Sequence, residues 1–343
     1  MAIPTDDRYI FRMTDDTGMF QHAVFGVPDP SEGYTTDDNA RALIMAALLY
    51  EKTRDPKYET LMIRYLSFLF FAQKGGWFRN FMNYDRNFSE KRGSEDCFGR
   101  CICALGYVVS KGDLPEDLRK AAEKLLRHVY QNCSSLSSIR GKAYSLVGLA
   151  LWNRDDAKHF VRMLGDAIID TYAQSRREDW RWYETEMTYC NAILPHAMLC
   201  TYELFLEKQV LGTALVSLDF LLESTVKNGR FKPIGCKGWY QRGGTPAEFD
   251  EQPVEACSTL LACLKAYRLT GNAKYRDCAE QCLQWYHGAN SAGLSLISRE
   301  TGGCCDGLTK RGINQTEGAE SIVCYIIAAL EGEKENLRTD RQC

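Results

Sequence analysis

Acidic residues arrive in close pairs along this chain: Asp37 and Asp38, Glu95 and Asp96, Glu184 and Glu186, Asp250 and Glu251, Glu317 and Glu320. Each pair stands just before, or at the start of, an apolar stretch of helical character. Glycoside cleavage needs one protonated and one ionised carboxyl on either side of the scissile bond. Neighbouring acids in a partly dry cleft repel each other, so one holds its proton near neutral pH while its partner stays ionised. Asp38, Asp96, Glu184 and Glu251 are therefore the expected catalytic carboxyls, Asp38 or Asp96 on one wall and Glu184 or Glu251 on the other. The competing explanation is local. Thr-x-Asp and Ser-x-Asp are also what a well-capped helix shows, so Asp37, Asp38, Glu95 and Asp96 taken singly suit capping equally well. Capping does not require both Asp250 and Glu251.

Aromatic residues crowd the same connecting segments: Trp77, Phe78, Phe81 and Tyr84, then Trp180, Trp182 and Tyr183, then Trp239 and Tyr240. Arg79, Asn80, Asn83 and Arg242 lie among them. Flat apolar faces interleaved with amides and guanidinium groups suit sugars, which present C–H patches and rings of hydroxyls. The expected substrate-binding set is Asp37, Arg41, Trp77, Asn80, Tyr84, Arg100, Trp182, Tyr183, Trp239, Asp250, Gln252, Glu317 and Glu320. Some of these rings are expected to do no more than pack loops onto the body. The five histidines are scattered, and His196 alone falls within an apolar segment. A buried lone histidine is more often a hydrogen-bonded core group than a catalyst. No phosphate-binding glycine loop, no Gly-x-Ser-x-Gly elbow and no metalloprotease helix is present.

The elements that must carry these residues repeat. Six segments open with polar or acidic residues and continue as small and apolar residues on nearly every face, as buried helices do. They begin near Thr36, Ser94, Ser138, Thr188, Gln252 and Thr316. Amphipathic stretches with charge on one side lie between them, at 57–71, 115–131, 155–174, 206–225 and 273–286. This alternation, roughly every 45 to 65 residues, is the mark of a repeat architecture. Six buried helices, each followed by a surface helix, predict a single all-α (α/α)6 toroid over 1–343, with an N-terminal arm (1–32) and a polar tail (331–343). Pro253 suits a first helical position. Pro195 must kink the fourth buried helix or delay its start. Thr36 and Ser94 are the expected N-caps. The connections into the buried helices, 74–93, 175–187, 228–251 and 288–315, are long, and long loops in compact domains are usually functional. Strand is expected only as short hairpins within them.

Composition narrows the class. Hydrophobic residues at 45% and charged residues at 25% describe an ordinary globular protein with ample core. A formal charge of −3 with no basic field argues against a nucleic-acid partner. No run approaches the length needed to cross a bilayer, and the polar start lacks a signal core, so a cytoplasmic location without membrane association is expected. Fifteen cysteines, many inside apolar runs, read as reduced buried thiols. No Cys-x-x-Cys pair occurs, so neither a metal nor a cofactor is expected.

Six motifs carry a resemblance to a known group. They are Gly-Tyr-Thr-Thr-Asp-Asp-Asn-Ala-Arg-Ala-Leu-Ile (33–44), Asn-Phe-Met-Asn-Tyr-Asp-Arg (80–86), Gly-Ser-Glu-Asp-Cys-Phe-Gly-Arg (93–100), Trp-Arg-Trp-Tyr-Glu (180–184), Asp-Glu-Gln-Pro-Val-Glu-Ala (250–256) and Glu-Gly-Ala-Glu-Ser (317–321). Over nearly the whole chain, from Tyr9 to about Leu330, the sequence resembles a bacterial family of toroids similar to the six-hairpin glycosidases. Members stand alone or are fused to glycosyltransferases, often near mannoside-processing genes. The resemblance implies an (α/α)6 fold, a carbohydrate substrate, a site at Asp37, Asp38, Asp96, Glu184, Asp250 and Glu251, and a functional link to a glycosyltransferase. One departure stands out. In the fourth segment Cys190-Asn191-Ala192-Ile193 replaces an expected Asp-Asn-Ala-Arg. The function expected is an inverting glycoside hydrolase on oligosaccharides, with mannosides foremost. A glycoside phosphorylase, a sugar epimerase of similar fold and a non-catalytic carbohydrate-binding module are the alternatives.

Overall fold

The computed structural model describes residues 6–339; the first residues of the expected arm and the end of the expected tail, with Cys343, lie outside them. Twelve α-helices make up the described chain: α1 (Arg8–Arg12), α2 (Thr36–Thr53), α3 (Pro56–Ala72), α4 (Glu95–Ser110), α5 (Glu116–Val129), α6 (Ile139–Trp152), α7 (Asp155–Ser175), α8 (Ile193–Phe205), α9 (Lys208–Thr225), α10 (Pro253–Thr270), α11 (Ala273–Tyr286) and α12 (Ala319–Lys334). The even-numbered helices from α2 on are the six segments expected to be buried. The strands are two residues long and pair in twos within the connecting loops. No helix among the described residues is long and apolar enough to cross a membrane.

Two compact units divide the chain. Among the described residues, one comprises Asp7–Asp166 with Gly318–Val323; the other comprises Ala167–Glu317, residues 324–339 and Asp6. In the first unit α2 packs on α3 and α4, and α4 packs on α5 and, most extensively, on α6. Glycines at a seven-residue spacing permit that last contact. A Cβ built on Gly106 would lie 2.0 Å from the carbonyl of Gly148, and one on Gly99 would lie 2.6 Å from that of Gly141. No side chain fits there, so the two backbones touch. In the second unit α8 packs on α9 and α10, and α10 on α11.

Helix starts refine the sequence expectations. The hydroxyl that caps α2 belongs to Thr35, not Thr36, and accepts from Asp38 N. Ser94 caps α4 as expected. The fourth buried helix starts at Ile193 rather than Thr188, which places Pro195 in its first turn, where a missing N–H costs nothing. Pro253 takes the first position of α10. The described cysteines are free thiols.

Candidate active site

The strongest convergence of charged groups surrounds the start of α2. The strand Tyr34–Thr35 pairs antiparallel with Phe81–Met82, so the loop after α3 reaches back over the helix start. Thr36 N donates to the Asn80 carbonyl (2.9 Å) and Asp37 N to Asn80 Oδ1 (3.1 Å). Asn80 thus satisfies backbone donors that the first turn leaves open. It is 7% exposed, and this bond occupies its amide oxygen.

With the turn fixed, Asp37 and Asp38 meet one guanidinium. Arg41 Nη1 donates to Asp38, Nη2 to Glu320 on α12 at 2.6 Å, and Nη2 lies 3.6 Å from Asp37. Asp38 also accepts from the Thr35 hydroxyl. The Asp38 side chain keeps 9% of its surface open, Arg41 10%, Asp37 22% and Glu320 37%. The Arg41 guanidinium and the Asp38 carboxyl are therefore buried together, while Asp37 and Glu320 keep faces toward solvent.

This packing separates the two aspartates in ionisation. Burial, then the adjacent Asp37 charge and the charge of Glu320, push the Asp38 carboxyl up to about 7, although Arg41 and Thr35 oppose the shift. Burial acts on Asp37 too, but Arg41 and Arg100 outweigh it and hold Asp37 below the usual carboxylate range. One acid retains its proton near neutral pH beside another that does not. This is the division of labour that general acid–base chemistry requires.

Arg100, on α4, acts on Asp37 through its charge, and its guanidinium carbon lies 4.7 Å from the centre of the Tyr144 ring. Asp96 accepts from Ser138 Oγ at 2.7 Å, while Glu95 takes the backbone N–H groups of Ser137 (2.7 Å) and Ser138 (2.6 Å). Glu95 therefore secures the start of α6. The close glycine contact between α4 and α6 makes these bonds possible, and sequence reasoning missed it. The seven-residue spacing of Gly99 with Gly106 and of Gly141 with Gly148 was the available signal.

The expected residues of the other unit are arranged differently. Glu251 is fully buried; its carboxylate accepts from Trp285 Nε1 at 2.7 Å and from Ser291 Oγ, and burial raises its pKa in spite of those bonds. The catalytic role expected for Glu251 therefore meets a closed pocket, in which the group ties two loops together. Trp182 and Tyr183 are also fully buried. They pack edge to face at 5.3 Å, and Tyr183 shares a hydrogen bond with Ser217 (2.8 Å). Both were expected to bind sugar; neither ring is exposed here. The Glu184 carbonyl accepts from Trp180 Nε1 (2.6 Å). Asp250 pairs with Lys237 at 3.0 Å, Glu317 accepts from Thr301 at 2.9 Å, and Gln252 occupies the N-cap position of α10 without a side-chain cap bond. Trp239 is half-buried, 6.4 Å from the Tyr189 ring. In the first unit Trp77 lies under the Arg92 guanidinium (3.3 Å to the ring centre) and Tyr84 is 58% exposed.

The departure in the fourth segment has a structural answer. Glu255, from α10, accepts from the backbone N–H of Cys190, from Asn191 N (3.4 Å) and from Asn191 Nδ2 (3.1 Å). A carboxylate brought in from another helix serves the donors where the resemblance leads one to expect a local aspartate. Among the described residues no cluster of His, Cys, Asp or Glu could hold a metal ion.

No protein-family model matches the chain, and no curated protein is detectably similar to it in sequence. Solved structures are similar in fold. A D-mannose isomerase aligns with a TM-score of 0.74 at 12% identity, over 96% of this chain and 95% of that one. Cellobiose 2-epimerase from Spirochaeta thermophila aligns at 0.71 and 13%, over 97% and 96%. An inactive variant of an α-1,6-mannanase of Salegentibacter, with two consecutive aspartates changed to asparagine and α-1,6-mannotriose bound, aligns at 0.61 and 11%, over 96% of each chain. These likenesses establish the fold as an all-α (α/α)6 toroid.

Proposed function

We propose that this chain is a glycoside hydrolase acting on oligosaccharides, mannosides foremost, with Asp38 as general acid and Asp37 as its ionised partner. The observation that carries the proposal is the Asp37–Asp38 pair on one buried guanidinium, with the two carboxyls driven apart in ionisation. Asp38 gives its proton to the glycosidic oxygen as the bond to the anomeric carbon breaks. Asp37 takes a proton from the water whose oxygen bonds to that carbon. Arg41 and Arg100 keep Asp37 charged, and Glu320 helps keep Asp38 protonated. Asp96, Tyr84 and Trp77 are proposed to line the way for the sugar.

Support comes from the mannanase among the structural neighbours, whose inactive form lacks two consecutive aspartates. The isomerase and epimerase neighbours favour a second reading, proton transfer at a sugar carbon. An epimerase of this fold needs paired histidines. His196, in α8, is pushed down to about 3 by burial and by the charges of Lys265 and Arg268. Incubation with α-linked manno-oligosaccharides, followed by NMR of the first-formed anomer, tests both readings. Inverted mannose or a shorter oligosaccharide supports the proposal. A retained anomer transfers Asp37 to direct attack, and an isomerised sugar without cleavage overturns hydrolysis.

A further inference from the structure

The segment Ala23–Pro28 is a two-stranded hairpin whose tip is unusually apolar: Val24 is 45% exposed, Phe25 69% and Val27 68%. Phe25 also has φ of +50°, a conformation that a bulky side chain adopts only under strain. Core packing does not account for a large ring held outward at such a turn. Exposed apolar clusters of this kind mark contact sites.

The root of the hairpin is tied to the elements that carry the acids. Gln21 N donates to Gly33 O (2.9 Å), just before the strand that leads to Asp37. Gln21 O accepts from Ala319 N (3.0 Å), one residue before Glu320. Arg12 Nη1 donates to the Gly26 carbonyl (3.1 Å) and fixes the tip. Phe25 stands four positions after Gln21, so its Cα lies within about 14 Å of that root. Aromatic rings continue along the same edge: Phe20 stacks on Tyr34 at 5.0 Å and neighbours the exposed Tyr84 at 6.1 Å.

We infer that this hairpin is an outer sugar-binding subsite, where Phe25 stacks on a residue of the oligosaccharide several units from the cleaved bond. The inference rests on the proposed site at Asp37 and Asp38. The tip sequence Ala-Val-Phe-Gly-Val-Pro carries no charge, which suits a neutral polymer and offers nothing to an anionic surface. One two-stranded tip is also far smaller than the roughly 800 Å² per partner of a stable protein interface. A ring near the site, able to meet the C–H face of a sugar, matches this occupant.

The test is calorimetric binding of mannopentaose and mannobiose to Asp38→Asn, with and without Phe25→Ala, beside turnover of both sugars by wild type and Phe25→Ala. Phe25→Ala should weaken mannopentaose about tenfold, the scale of one lost aromatic contact, and leave mannobiose unchanged. Phe25→Tyr should restore the loss. Equal effects at both lengths, no effect at either, or no binding at all overturns the inference. So does a shift in oligomeric state, by sedimentation, without a change in sugar affinity. Hydrolysis that ignores Phe25 leaves the proposed function standing and removes the subsite. Length-dependent binding through Phe25 without turnover does the reverse.

Discussion

Replacing Asp38 with asparagine separates the chemistry of its carboxyl from its place in the packing, because the amide keeps the size and loses the ionisation. Burial and the Asp37 charge raise this group from 3.8 to about 7 in the folded chain. The folded state therefore binds the proton more tightly than the unfolded state. Its contribution to stability is fully present below the unfolded value and falls as pH rises through the folded one. Three units at 1.36 kcal/mol each amount to about 4 kcal/mol in total, of which about 2–3 kcal/mol is lost between pH 5 and pH 8. The variant has no such group and escapes that loss. Urea denaturation of both proteins at pH 5, 6, 7 and 8 reads the difference, since Asp37, held below the usual carboxylate range, stays ionised across that range. Relative to wild type, Asp38→Asn should gain about 2–3 kcal/mol between pH 5 and pH 8. On a true substrate its turnover should fall by at least about 10²-fold. A difference in stability that does not change with pH would refute the ionisation argument, whatever happens to activity.

Two further perturbations follow from the packing. Trp182→Ala, at a fully buried ring, should cost about 3–5 kcal/mol of stability by chemical denaturation. Trp239→Ala should leave stability nearly unchanged while weakening oligosaccharide binding by about 1–3 kcal/mol, and equal stability losses in the two variants would contradict the assignment. Gly106→Ala forces a methyl to 2.0 Å from the Gly148 carbonyl and should destabilise the chain by about 1–3 kcal/mol or more. A neutral result would mean that α4 and α6 can separate freely.

The helices were legible because burial leaves a mark in composition: segments apolar on every face alternate with one-sided stretches, and both became helices where that pattern stood. The long loops were legible for the same reason, by their lack of period. The site was legible only in part. That Asp37 and Asp38 open a helix can be read from Thr-Thr-Asp-Asp. That Arg41 also holds Glu320, 279 positions away, depends on tertiary packing and leaves no local trace. Glu251 and Trp182 show the converse. An acid beside a proline-started helix and a tryptophan in an aromatic loop look like ligand-facing groups, yet both are buried, the acid against Trp285 and Ser291, 34 and 40 positions away, and the indole edge to face with Tyr183. Glu255 was passed over because nothing local shows that its carboxylate serves Cys190 and Asn191 in the turn before α8.

The central claim is that the Asp37–Asp38 pair cleaves a glycosidic bond. Its most direct test is product analysis of wild type, Asp37→Asn and Asp38→Asn incubated with α-linked manno-oligosaccharides. Wild type should release mannose or shortened oligosaccharides, and each variant should lose that release while still binding the sugar and unfolding cooperatively. Undiminished release by both variants would contradict the claim, and so would sugar binding by wild type with no cleavage of any member of the panel.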